Sequence, residues 1–225
     1  MDFYPVITAK IDHFYQQMKS DNPFFRAIFS GELQPTQWQA YLENVKVSLA
    51  TNIKHIKMSA ELAAAQGMPL LQEYYENKIA EEVGHDEWAA SDLAALGQQF
   101  TLDTVEYPLE PNLALLIANN EKALKQDPRL FLVYILFAEY LTVVAGPECT
   151  ESIAQRCGIN KESLSVITKH AELDKDHVAE WREEVHSCQI DLSGLSEQVF
   201  AFLEETMSAY NAFAAGLVLP RGTHA

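Results

Sequence analysis

The sequence predicts an all-α, single-domain bundle of about seven to eight helices. Three observations lead there. Apolar residues recur every three to four positions through most of the chain, the period of a helix buried on one face. No strand-like alternation of useful length occurs, nor any Gly-rich phosphate loop, G-x-S-x-G elbow or internal repeat. Finally, 225 residues with 48% hydrophobic content and only nine Gly and nine Pro suit one globular unit with a substantial core.

Residues 3 to 20 carry Phe3, Ile7, Ile11, Phe14, Tyr15 and Met18 at helical spacing, and Asn22-Pro23 ends that helix. Phe24, Phe25, Ile28 and Phe29 read as a short apolar helix closed by Gly31, and Pro35-Thr36 opens the next. From Gln37 to Gln66 the stripe of Trp38, Tyr41, Leu42, Val45, Leu49, Ile53, Ile56 and Ala60 predicts a long helix, broken at Gly67. A helix over about Pro69 to Leu96 follows. Gly84 within it costs stability relative to Ala, which suits a close approach by a neighbouring helix or ligand. Gly97 to Pro111 reads as a loop and Leu113 to Leu124 as a helix. Arg129 to Ala145 is apolar on every face, so that helix lies inside the domain, with Gly146-Pro147 as its stop. Residues 148 to 156 add a turn or two, Lys161 to His186 forms a helix, and Leu195 to Leu217 forms the last, with Val199, Leu203, Met207, Tyr210 and Phe213 on one face.

The charge balance excludes some partners. With 16 Lys+Arg against 32 Asp+Glu, the net charge of −16 repels a phosphate backbone or an anionic membrane, so no nucleic acid and no membrane is expected. Leu130 to Ala138, the longest wholly apolar run, is too short to span a bilayer, and the first residues lack a secretory signal, which predicts a cytoplasmic protein. Cys149, Cys157 and Cys188 are odd in number and form no C-x-x-C pair, so they are expected to be free, buried thiols.

The chemistry sits on three segments. His170, Asp174 and His177 fall within roughly 60° of one another on a helix, so two imidazoles and a carboxylate project toward one point. Such a set suits iron, manganese or zinc. Glu82 and His85, in Glu81-Glu82-Val-Gly-His85, form an E-x-x-H pair of the kind that helical bundles turn toward a metal. Glu139 stands in the middle of the all-apolar helix, where an unpaired carboxylate costs several kcal/mol and needs a proton, a cation or a metal. Three carboxylates and three imidazoles suffice for two metal ions with open positions.

The chain resembles the haem-oxygenase-like superfamily, which includes TenA-like proteins, PqqC and the CADD-like non-haem diiron oxidases. The resemblance runs from Pro23-Phe-Phe-Arg-Ala-Ile-Phe-Ser-Gly31 through Glu81-Glu82-Val-Gly-His85 to the H-x-x-x-D-x-x-H helix. It implies a haem-oxygenase-like bundle that binds Fe(II), one or two ions per chain, through Glu82, His85, Glu139, His170, Asp174 and His177, and that activates O2 on a small-molecule substrate. It also implies association, most simply as a homodimer. The alternative is a TenA- or PqqC-like small-molecule-binding protein of the same fold without metal chemistry.

Lys78 departs from the resemblance, because a Glu or His often stands at that position in similar sequences. A protonated Lys cannot ligate metal, so Glu81 is expected to supply a ligand in its place or the second ion to bind weakly. The tight iron is expected on His85, Glu139 and His170, and the looser one on Glu82, Asp174 and His177, with Glu81. Lys78 and Tyr140, next to Glu139, are the candidate catalytic side chains. No Cys stands near Ala138 and Glu139, where a TenA-like hydrolase places its nucleophile. His55, the candidate axial ligand for a haem, has Lys54 and Lys57 beside it and is expected to be exposed.

Overall fold

A computed structural model describes residues 2–102, 108–186 and 190–218. The nine α-helices among them are α1 (Phe3–Asp21), α2 (Pro23–Ser30), α3 (Pro35–Ala65), α4 (Pro69–Glu82), α5 (His85–Phe100), α6 (Pro111–Gln126), α7 (Phe131–Arg156), α8 (Ser165–His186) and α9 (Ser196–Gly216). Asp103 and Thr104 of the expected loop, and Cys188, lie outside the described residues.

Local chemistry sets most of the boundaries. Asp2 and Asn22 accept backbone N–H bonds at the starts of α1 and α2, and Glu110 accepts those of Asn112 and Leu113 at the start of α6. Pro23, Pro35, Pro69 and Pro111 open their helices, where the missing N–H has no partner to lose. Gly31 closes α2 in the left-handed region, at φ 80°.

Three boundaries differ from the sequence reading, the smallest being that α5 runs through Gly97, where a loop was expected, to Phe100. The expected helix over Pro69 to Leu96 is two helices, because Val83 is extended and Gly84 adopts φ 92°, which L side chains avoid. A Cβ on Gly84 would meet nothing within 4 Å, so this glycine serves the turn and not a close approach. Conversely, α7 continues through Gly146-Pro147 to Arg156. Gly146 there is a packing residue: a Cβ would meet the Ala171 Cβ at 3.0 Å and the Ile167 Cγ2 at 3.2 Å, so its absence lets α8 lie close to α7.

The core is built around α7. Phe131, Leu132, Val133 and Leu136 are completely buried, each contributing about 2 kcal/mol of apolar burial. α7 packs along α8, α3 packs on α4 and α5, and α6 on α9. Two buried indoles tie segments together: the Trp181 Nε1–H donates to the Leu132 carbonyl and the Trp38 Nε1–H to the Ser163 carbonyl, both at 2.9 Å. Pro128–Arg156 is long and apolar enough to cross a membrane, yet 67% of its most apolar window is buried inside the bundle, as a core helix requires.

Candidate metal centre

Four helices bring the expected ligands together. Glu82 is the last residue of α4 and His85 the first of α5; Glu139 comes from the middle of α7, and His170, Asp174 and His177 from one face of α8. Asp92 fixes the start of α8, its carboxylate accepting bonds from the Ser165 hydroxyl and, at 2.8 Å, the Val166 N–H.

The ligand atoms fall into two overlapping groups. One consists of Glu82, His85 and His170, the other of Glu82, Glu139 and His177, the atoms of each lying within 4.8 Å of one another. The expected partition placed Glu139 with His85 and His170; in the structure Glu82 belongs to both groups, and Glu139 lies with His177. Asp174 is in neither group. It is almost fully buried, and its Oδ1 lies 3.2 Å from the His177 Nδ1, where it orients that imidazole and raises its pKa.

Each group is held from behind. The His170 Nδ1–H donates to the Val166 carbonyl at 2.7 Å, which leaves Nε2 as the nitrogen facing the cluster, 3.2 Å from the His85 Nδ1. The Trp88 ring stacks on His85 with centroids 3.9 Å apart and is itself covered by Lys169. Burial works against ionising Glu82, but His85, His170 and His177 outweigh it and lower its pKa. Asp174 goes the other way, burial pushing it up. For Glu139 burial dominates even beside Lys78, and its pKa rises to about 8.

Lys78 is 1% exposed, and its ammonium lies 2.9 Å from Glu81, 3.2 Å from Glu139 and 3.4 Å from Glu180. Burial opposes its charge, but Glu139, Glu81 and Glu180 more than compensate and raise its pKa above the usual lysine value. Glu81 reaches toward both Lys78 and the His177 Nε2, the latter at 3.4 Å. Glu180 was missed by the sequence reading, although it extends the α8 face by the same three-residue step that separates Asp174 from His177. Tyr74, one turn before Lys78, was also missed; its hydroxyl is buried beside the cluster with no hydrogen-bond partner.

Tyr140 does not join the cluster. One residue beyond Glu139 is about 100° around the helix, and its hydroxyl donates to the Asp12 carboxylate at 3.2 Å. His55, expected at the surface, is buried, packed edge-on against Phe131 with Nδ1 unpartnered. The flanking lysines point outward while His55 itself turns inward, one helix face away. Cys149 is buried as expected, whereas Cys157 is only partly so.

The donor set fits a first-row metal. It offers imidazole nitrogens and carboxylate oxygens of the kind that iron and manganese take. The buried Glu139 Oε2 has no hydrogen-bond partner among the described residues, as a ligand atom for a cation would have none. Beside the cluster lies a cavity of about 170 Å³, whose wall includes Lys78, Glu82, Glu139, His170 and Asp174.

No family model matches the sequence, and no curated protein does. Solved structures do. A domain of unknown function with a heme oxygenase-like fold from Shewanella denitrificans superposes with a TM-score of 0.82 at 17% identity, over 96% of this chain and 92% of that one. A CADD-like protein of unknown function from Nostoc punctiforme, in two crystal structures, gives TM-scores of 0.66 and 0.65 at 12% and 11% identity, over 96% of this chain and 97% and 95% of those. The fold is therefore haem-oxygenase-like, in agreement with the sequence resemblance.

Proposed function

We propose that this haem-oxygenase-like bundle is a non-haem iron oxidoreductase that uses O2 to oxidise a small organic molecule. The observation that carries the reading is Glu82, common to both ligand groups. A carboxylate has two oxygens, so one residue between two sets of imidazole and carboxylate suits a pair of ions better than a solitary one. His85, His170 and Glu82 would hold one ion, and Glu139, His177 and Glu82 the other.

Iron, when bound, would pass electrons from the organic substrate to dioxygen. The chain's own residues do the rest. Lys78 holds a proton on Nζ and cancels one negative charge beside Glu139. Asp174 and the Val166 carbonyl fix the two α8 imidazoles. The apolar walls of the cavity exclude bulk water and strengthen every charge interaction at the cluster.

The test is anaerobic titration of the metal-free protein with Fe(II), followed by oxygen uptake in air. At least one Fe(II) per chain is expected, lost in a His85→Ala, His170→Ala double variant that still folds. A protein that binds no Fe(II), and none after supplementation during expression, refutes the proposal. The second reading is a small-molecule-binding protein of the same fold, favoured by the internal ion pair that Lys78 already makes with Glu139.

A further inference from the structure

The cavity beside the cluster has walls of two kinds. Its volume of about 170 Å³ slightly exceeds the ~150 Å³ that takes up one benzene ring in an apolar protein interior. All the charged side chains among its described lining residues belong to the cluster. Most of the remainder is apolar, from residues such as Leu49 on α3, Leu116 on α6 and Ile135 on α7.

Several polar side chains of the lining are already engaged: Asn44 donates to the Ala40 carbonyl and accepts from the Glu110 N–H, Thr142 donates to the Ala138 carbonyl, and Tyr41 pairs with Tyr210. Ser48 and Asn52, one turn apart on α3, line the cavity beside Tyr134 of α7, so a ligand's hydrogen bonds at this spot fall to the Ser48 hydroxyl and the Asn52 amide.

We infer that the cavity takes an uncharged, mainly apolar molecule the size of one substituted ring, whose single hydrogen-bonding group meets Ser48 and Asn52. The inference rests on the reading above, in which this cavity is the substrate chamber of the cluster. A charge on the ligand away from the cluster would be desolvated with no counter-ion. An anionic group at the metal-free cluster would meet the carboxyl groups of Glu82 and Asp174, and the ammonium of Lys78 already has Glu81, Glu139 and Glu180 as partners. A ligand without the hydrogen-bonding group leaves Ser48 and Asn52 facing an apolar surface, which lowers its affinity.

The test is calorimetric titration of the metal-free protein with benzyl alcohol, toluene and benzoate. Benzyl alcohol is expected to bind saturably, one per chain, toluene at least threefold more weakly and benzoate at least tenfold more weakly. Asn52→Ala should bring benzyl alcohol down to the level of toluene while leaving toluene unchanged. Leu49→Trp, which fills the cavity, should abolish binding of both neutral rings; if it does not fold, Ile135→Phe takes its place. Benzoate binding as tightly as benzyl alcohol, no saturable binding of either neutral ring, or undiminished binding in the folded cavity-filling variant overturns the inference. Fe(II) titration of the same proteins keeps the two readings apart. Iron uptake with no ring binding defeats this inference and leaves the iron site standing; ring binding in a protein that takes no iron defeats the iron reading alone.

Discussion

Replacing Lys78 with Met removes a buried positive charge and little volume. The ammonium is 3.2 Å from the Glu139 Oε1, an attraction of about 5 kcal/mol at an effective dielectric constant of ~20 for the ionised carboxylate that a metal ion would need. An ion entering the Glu82, Glu139 and His177 group takes Glu139 away from Lys78, which keeps Glu81 and Glu180 as partners. Allowing that relaxation to recover half, the second ion gives up about 2–3 kcal/mol, a factor of roughly 30 to 150 in affinity. The parent protein should therefore bind one Fe(II) tightly and a second that much more weakly, and purify with sub-stoichiometric iron. In Lys78→Met the gap should narrow by most of that factor, and Lys78→Glu, which adds a ligand, should take up close to two. Met is tolerated because burial raises the Glu139 pKa to about 8 even with Lys78 beside it, and losing the cation moves it further up, so the carboxyl holds a proton at neutral pH. Anaerobic calorimetry with Fe(II) on the three proteins reads the outcome. Two equally tight equivalents in the parent, or a second affinity unchanged in Lys78→Met, refutes the argument.

Other perturbations test the frame around the cluster. Asp92→Ala leaves the Ser165 and Val166 donors at the head of α8 without their acceptor, costing about 2–3 kcal/mol. Thermal unfolding should shift down by about 5–10 °C, and Fe(II) binding should weaken because α8 carries three candidate ligands; an unchanged midpoint would show that the contact does not hold the helix. Gly84→Ala forces a side chain into φ 92° at about 1–2 kcal/mol, whereas Gly84→Asn should be milder; equal effects would mean that backbone strain is not the cause. His55 is kept neutral by burial, with its pKa lowered despite Glu121, while in the unfolded chain it titrates near ~6.5. The unfolded state then gains protons that the folded state refuses, so stability is lost as pH falls below ~6.5. Urea midpoints of the parent should drop between pH 7.5 and 5.5 more steeply than those of His55→Gln, and parallel slopes would sink this account.

The sequence made legible whatever depends on one helix at a time. His170, Asp174 and His177 share a face because their spacing says so, and Glu139 declares itself as a charge in an apolar run. What depends on two elements was hidden. Nothing near Val83-Gly84 signals a break except the glycine, and a single glycine inside a helical pattern is ordinarily tolerated. The Gly146-Pro147 pair reads as a stop by local rules, and only the approach of α8 reveals what the glycine is for. Glu180 lies among Glu172, Asp176, Glu183 and Glu184 on an acidic helix, and nothing local marks it as the partner of Lys78 until α4 is placed beside it. Tyr140 was drawn in by adjacency to Glu139, although neighbours in a helix face different directions.

The break at Gly84 is also what gives the cluster its shape. In a continuous helix Glu82 and His85 would leave the same surface side by side, as an ordinary i, i+3 pair serving one point. With α4 ending at Glu82 and α5 beginning at His85, the imidazole is set by Trp88 on its own helix while the carboxylate stays with Lys78 and Glu81 on α4. Glu82 is thereby free to reach His85 and His170 on one side and Glu139 and His177 on the other. The second of those groups already contains Glu139 paired with a protein cation, whereas the first contains none. A metal ion would therefore find one set of ligands without a protein cation and one that it must win from Lys78, and the proposed order of filling follows from that difference in charge.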